Sequence, residues 1–142
     1  MNPRLYPLAA TIAIFLLAWV ICVTQFPYML STRVAGNLLT DNAYLGIVAV
    51  GMTVVILSGG IDLSVGSVIA FSGVFIAVML RDTGLHPISV FAVLLVITTG
   101  FGAAMGWLIH SLAMPPFIVT LAGMFLARGV AYMLTIDSVP ID

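Results

Sequence analysis

Hydrophobic residues fall into five segments along the chain: Leu8 to Phe26, Ala43 to Leu57, Val65 to Leu80, Ile88 to Ile109 and Phe117 to Ile136. Each reads as a membrane helix. Crossing roughly 30 Å of hydrocarbon takes about 20 helical residues at about 1.5 Å each. The first, fourth and fifth segments are long enough. The second and third fall short, since about 15 residues reach only about 22 Å.

Between the two short segments lies Ser58-Gly59-Gly60-Ile61-Asp62-Leu63-Ser64, with adjacent glycines and a carboxylate. Either both helices are short and this loop lies at one membrane face, or the loop dips into the membrane and the pair forms a broken element. Irregular backbone at membrane depth survives only against protein or a water-filled cavity, so the second arrangement places the loop beside a pathway. The other connectors, Pro27 to Asp41, Arg81 to Pro87 and His110 to Pro116, are polar and carry turn residues. Met114-Pro115-Pro116 before Phe117 reads as a helix start, because proline suits the first turn. Within the fourth segment, Gly102-Ala103-Ala104-Met105-Gly106 is a small-xxx-small pattern. Ordinary close packing inside a bundle is its expected use.

Composition fixes the solvent. Of 142 residues, 63% are hydrophobic and 6% charged, too few polar groups to clothe a soluble globule. The expected fold is therefore all-α, a polytopic transmembrane helix bundle with about five membrane segments, in which residues 1–142 form one part of a single transmembrane domain. The first segment follows Arg4, but no small-x-small cleavage site follows it and no small residue precedes Cys22, so it is expected to be a retained helix and not a secretory signal. Arg4 favours a cytoplasmic N-terminus. Strict alternation then puts Arg33 and Arg81 outside, so the arginines pull in opposite directions and the positive-inside rule does not fix the orientation.

Charge excludes several functions. A net charge of -1, with four arginines and no lysine, does not suit nucleic acid, which needs clustered cations. Without lysine there is no G-x-x-x-x-G-K-[ST] loop for ATP. Cys22 is alone, and His86 and His110 lack metal-ligand spacing, so no metal or other cofactor is expected in this chain. An intramembrane aspartyl protease needs two facing carboxylates, and only Asp62 lies suitably within the apolar stretch. No Ser-His-Asp or Cys-His arrangement stands out. The chain is not expected to be an enzyme.

Asp62 is the most informative residue. A carboxylate between apolar segments needs water, a partner or backbone N–H groups. It or Ser64 suits the N-terminus of the third helix, where the dipole also favours negative charge. Gly59 and Gly60 let backbone approach a solute or a neighbouring helix closely. Arg128 lies about 16 Å into the fifth segment by the helical rise. Either it faces the bundle interior, a cavity or a carboxylate such as Asp62, or the segment breaks at Arg128-Gly129 and the side chain snorkels. Ser67, Ser72, Thr120 and Asn42 are polar residues in or near apolar segments, and most such side chains bond to their own helix backbone. Ser58, Gly59, Gly60, Asp62, Ser64, Ser67, Thr120 and Arg128 together make the candidate pathway set.

The stretch Asn37 to Asn42 leading into Gly46-Ile47-Val48-Ala49-Val50-Gly51-Met52-Thr53, followed by Gly59-Gly60-Ile61-Asp62-Leu63-Ser64-Val65-Gly66-Ser67, resembles the permeases of bacterial ribose-type ABC sugar importers. Pro116 to Gly123, with Arg128-Gly129 after it, is similar to a second block of that family, and the chain looks closest to the permease subunits of galactofuranose importers. The resemblance implies an inner-membrane permease moving a monosaccharide. It also implies a second permease subunit, two ATP-binding subunits that carry the ATP, and a periplasmic sugar-binding protein as partners, all within membrane lipid. Family members are more than twice as long, so the region expected to engage the ATPase falls outside these 142 residues. Two other readings stand beside this one: an ion-coupled secondary transporter using Asp62, and a truncated product without transport.

Overall fold

A computed structural model describes residues 6–136, and all of their regular structure is helical. Helices α1 (Tyr6–Gln25), α2 (Thr32–Asp41), α3 (Ala43–Leu57), α4 (Val65–Thr83), α5 (Pro87–Ser111) and α6 (Pro116–Leu134) follow in order, with one 3-10 turn at Pro27–Leu30. Arg4, whose charge bears on orientation, lies outside the described residues, as do Asp137 and Asp142. Helix is what lipid demands, because only a helix satisfies every N–H and C=O within one segment. Helices α1, α4, α5 and α6, of 20, 19, 25 and 19 residues, are each long and apolar enough to cross a membrane. Helices α2 and α3 meet at a 51° bend and pass the same test only together, as one broken span or as a re-entrant pair.

Two expectations about segment length are corrected. The third apolar run ends at Leu80, yet α4 continues through Arg81, Asp82 and Thr83. Arg81 Nε donates to Asp82 Oδ1 at 2.6 Å, and both side chains are about half exposed, 53% and 50%. The two charges thus neutralise each other where water can reach them, and the helix runs on to a stop set by conformation. That stop is Gly84, whose φ of 62° is left-handed and cheap only for glycine. Helix α4 is therefore not undersized; only α3 is.

The stretch Pro27 to Asp41 is likewise no simple connector. Pro27 starts the 3-10 turn, then the Ser31 hydroxyl accepts the Val34 amide at 3.3 Å and opens α2. At its other end, the Asn42 side-chain amide donates to the Leu38 carbonyl at 2.8 Å. The α2 residues mix arginine, asparagine and aspartate with leucine and valine, so a search for apolar runs passes over them.

The described residues up to Ile47 and those from Val48 onward form two compact units. In the first, no residue of α1 is buried, and Phe15 stacks on Trp19 with ring centroids 6.4 Å apart. In the second, α4 packs against α5 and α6 around Phe71, Phe75, Val90, Leu94 and Ala127. The rings of Phe71 and Phe75 lie 5.8 Å apart. Lipid tails are as apolar as these side chains, so close van der Waals packing rather than escape from water holds such helices together.

Small residues on α6 permit that closeness. Thr120, Gly123 and Ala127, three and four residues apart, are all buried and share one helix face. A Cβ on Gly123 would collide with Met105 Sδ and come within 3.3 Å of Phe101 Cζ. The Gly102 and Gly106 pair on α5, expected to be the packing seam, instead has open space where a Cβ would stand. Met105, between those glycines, fills the space over Gly123, so the seam in use is on α6.

Candidate functional site

The loop after α3 is shaped by glycine. Gly59 adopts φ 76°, its amide donates to the Ile56 carbonyl at 3.0 Å, and the Gly60 amide donates to the Val55 carbonyl at 3.0 Å. This bond pair around a left-handed residue is the Schellman termination of a helix. The Ser58 hydroxyl donates to the Val55 carbonyl at 2.7 Å. A Cβ at Gly60 would sit 3.4 Å from both Val55 Cγ1 and the Val55 carbonyl, in van der Waals contact with the last turns of α3. Two glycines thus finish α3 and turn the backbone while their amides engage the Ile56 and Val55 carbonyls.

The other end of the loop is fixed by a carboxylate. Asp62 Oδ1 accepts the Ser64 amide at 2.8 Å and the Ser64 hydroxyl at 2.7 Å. Ser64 is 1% exposed and is the residue from which α4 departs, its carbonyl accepting the Ser67 and Val68 amides. Asp62 therefore stabilises the start of α4 through Ser64, with its charge near the positive end of the helix dipole. Both bonds fall on Oδ1, and Oδ2 has no protein donor among the described residues.

Between these ends, the Ile61 carbonyl meets α6. The Thr120 hydroxyl lies 3.2 Å from it, 2.9 Å from the Pro116 carbonyl and 3.4 Å from the Phe117 carbonyl. One proton is shared among three acceptors, and the Ile61 contact spans 59 residues of sequence. It ties the loop to the first turn of α6.

A groove of about 460 Å³ opens where the loop, α5 and the start of α6 meet, and Ser58, Gly59, Gly60, Asp62 and Thr120 line it opposite Gly102 and Gly106. A second groove of about 340 Å³ runs from Asp62 and Ser64 between α3, α4 and α5, past Met52, Val55, Val68 and Phe101. Asp62 and Gly102 line both, and Asp62 is the one charged side chain lining either. Such a path offers hydroxyls, backbone carbonyls and one carboxylate, the groups suited to a neutral polyhydroxy solute.

The remaining candidates lie elsewhere. Ser67 is buried on α4 and its hydroxyl has no hydrogen-bond partner among the described residues; it lines neither groove. Arg128 is exposed on α6 and also lines neither. No ion pair joins it to Asp62 among the described residues. The reason is axial: Arg128 is eight residues past Thr120, about 12 Å further along the helix. Ser72 donates to Val68 of its own helix at 2.7 Å, as does Asn42 to Leu38. His86 caps α5, its Nδ1 accepting the Ile88 amide at 3.3 Å. Sequence reading missed the groove-lining role of Gly102 and Gly106. Their spacing was visible, but which face of α5 would be covered was not.

Residues 34–138 match the sequence profile of a family described as branched-chain amino acid transport system / permease component. The inner membrane ABC transporter permease protein YjfF of Escherichia coli is 58% identical over 142 residues, all of this chain and 43% of that protein. The fructose import permease protein FruG of Bifidobacterium longum is 38% identical over 97% of the chain and 40% of its own length. The ribose import permease protein RbsC of Bacillus subtilis is 41% identical over 74% of the chain and 32% of its own. The chain thus spans less than half the length of these curated relatives. No solved structure matches it.

Proposed function

Since the chain belongs to the family of branched-chain amino acid transport system permease components, we propose that it is part of the membrane permease of an ATP-dependent importer carrying a monosaccharide of the ribose or galactofuranose kind across the bacterial inner membrane. It is a transport subunit and no enzyme, and ATP, the system's one energy-supplying cofactor, is bound and hydrolysed on separate ATP-binding subunits. A second permease subunit and a periplasmic sugar-binding protein complete the assembly.

The observation carrying this reading is a groove that, though mostly apolar in its lining, gathers Asp62, Ser58 and the glycine backbone of the loop within the bundle. Sugar is favoured over amino acid by the charges present. An amino acid's carboxylate would meet the Asp62 charge in either groove, with no arginine there to offset it. Hydroxyls need only acceptors and weak donors, which Ser58, the glycine backbone and Asp62 Oδ2 supply. The names of relatives that import fructose and ribose point the same way.

Transport follows by alternating access. ATP binding and hydrolysis on the partner subunits shift the population between inward-open and outward-open packings, to the extent that the nucleotide binds them unequally. The permease needs only weak contacts with sugar, because tight binding would slow release. Ser58, Gly59, Gly60, Asp62 and Ser64 wet the route without forming a high-affinity site. Thr120 supports the loop from behind. Ser67 and Arg128, off the grooves in this arrangement, belong to helix packing and to the lipid or partner side.

The test is sugar uptake by vesicles holding the complete permease with its ATP-binding subunits and binding protein. Uptake is expected to require ATP, to stop when the ATP-binding subunits are omitted, and to survive an uncoupler at constant ATP. Uptake that continues without the ATP-binding subunits overturns the reading. Uptake that collapses with the uncoupler and in Asp62→Asn replaces it with an ion-coupled transporter.

A further inference from the structure

Thr120 is 4% exposed, so its hydroxyl has little access to water and must find acceptors in the protein. It has them twice over: Pro116 and Phe117 on its own helix at 2.9 and 3.4 Å, and Ile61 on the Ser58–Ser64 loop at 3.2 Å. The first two persist whatever the loop does. Withdrawal of the loop therefore leaves no orphaned donor on α6, and only the modest net strength of a shared hydrogen bond resists it. Nor is the loop pinned there by apolar burial, since Ile61 is 56% exposed. On one side of Ile61 stand Gly59 and Gly60, free of bulky side chains. On the other stands the Asp62–Ser64 cap, which anchors the chain to α4.

Building on the reading of this loop as the lining of a solute route, we propose that Thr120 is a positioning residue: its hydroxyl holds the Ser58–Ser64 loop by the Ile61 carbonyl and lets it go by retreating to the Pro116 carbonyl. Docked, the Ile61 oxygen is engaged. Released, it becomes an acceptor in the groove for a solute hydroxyl or a water. Thr120 lines the groove but acts through the loop. It sets how often that oxygen is available.

Amide hydrogen exchange of the 142-residue chain in lipid nanodiscs, read on peptides covering 58–64 and 121–134, tests this. In Thr120→Val, which keeps the shape and removes the proton, exchange over 58–64 is expected to rise about three- to tenfold, the factor that a typical net hydrogen bond supplies. In Thr120→Ser, which keeps the proton, it is expected to stay at the parent rate, and α6 exchange is expected unchanged in both. Should valine disturb α6 itself, Thr120→Ala makes the same comparison with a smaller side chain. Parent-like exchange in both hydroxyl-free variants, or a serine variant as fast as valine, overturns the proposal. The readout does not involve transport, so a permease that fails the uptake test would refute the functional reading and leave this one to stand or fall alone.

Discussion

Asp62 Oδ1 lies 2.8 Å from the amide nitrogen and 2.7 Å from the hydroxyl oxygen of Ser64. A carboxylate that sequence alone marks as expensive in an apolar setting is thus half satisfied by its own neighbour, two residues on. The arrangement starts α4 and leaves the second oxygen without a protein donor among the described residues. This capping duty leaves room for the solute-facing one proposed for Asp62, because a carboxylate has two oxygens and about four lone-pair sites.

Removing that cap separates the two duties. Asp62→Ala is expected to destabilise the chain by about 1–2 kcal/mol through loss of a charge-assisted bond to the Ser64 amide. Asp62→Asn keeps a neutral acceptor and is expected to cost less than half as much. Unfolding midpoints in mild detergent check this; equal midpoints for alanine and parent count against a capping role.

At Gly59 the cost is conformational. Its φ of 76° puts a Cβ too close to the adjoining backbone, so Gly59→Ala is expected to cost about 1 kcal/mol even though nothing beyond its own chain neighbours lies within 4 Å of the added carbon. Gly59→Asn is expected to cost less, because asparagine tolerates the left-handed region. The order glycine, asparagine, alanine in thermal stability is the check.

Gly123 tests packing. Its added Cβ meets the end of Met105, a flexible side chain that can move, and the ring of Phe101, which has less freedom. Gly123→Ala is expected to cost about 1 kcal/mol and Gly123→Val about 1–3 kcal/mol, as overpacking does. Met105→Ala in the alanine background is expected to restore most of the loss. A double-mutant cycle with no coupling would place the α5–α6 contact elsewhere.

Gly102 predicts the opposite behaviour. Open space stands before it, so Gly102→Ala is expected to be neutral or stabilising by up to about 1 kcal/mol, since alanine favours helix. It also lines both grooves. Gly102→Leu is therefore expected to leave stability within about 0.5 kcal/mol while slowing uptake in the complete importer at least severalfold. Unchanged uptake would remove this face of α5 from the solute route.

Much of the molecule was legible in its residues. Apolar runs with almost no charge specify helices in lipid, since no other unclosed structure satisfies backbone polar groups there, and proline and glycine at 84, 87 and 116 mark where those helices begin and end. The Gly59-Gly60-Ile61-Asp62 string announced a shaped polar loop, because two glycines and a carboxylate have few other uses between membrane segments. Tertiary structure alone decided which small-residue face is covered: the Thr120, Gly123 and Ala127 stripe of α6 packs, whereas Gly102 and Gly106 of α5 line the groove. It also decided that Thr120 meets Ile61 and that Arg128 does not meet Asp62. The reason is that helical spacing fixes which residues share a face, but only the packing of one helix on another, governed by volume and by short-range hydrogen-bond geometry, fixes what that face will touch.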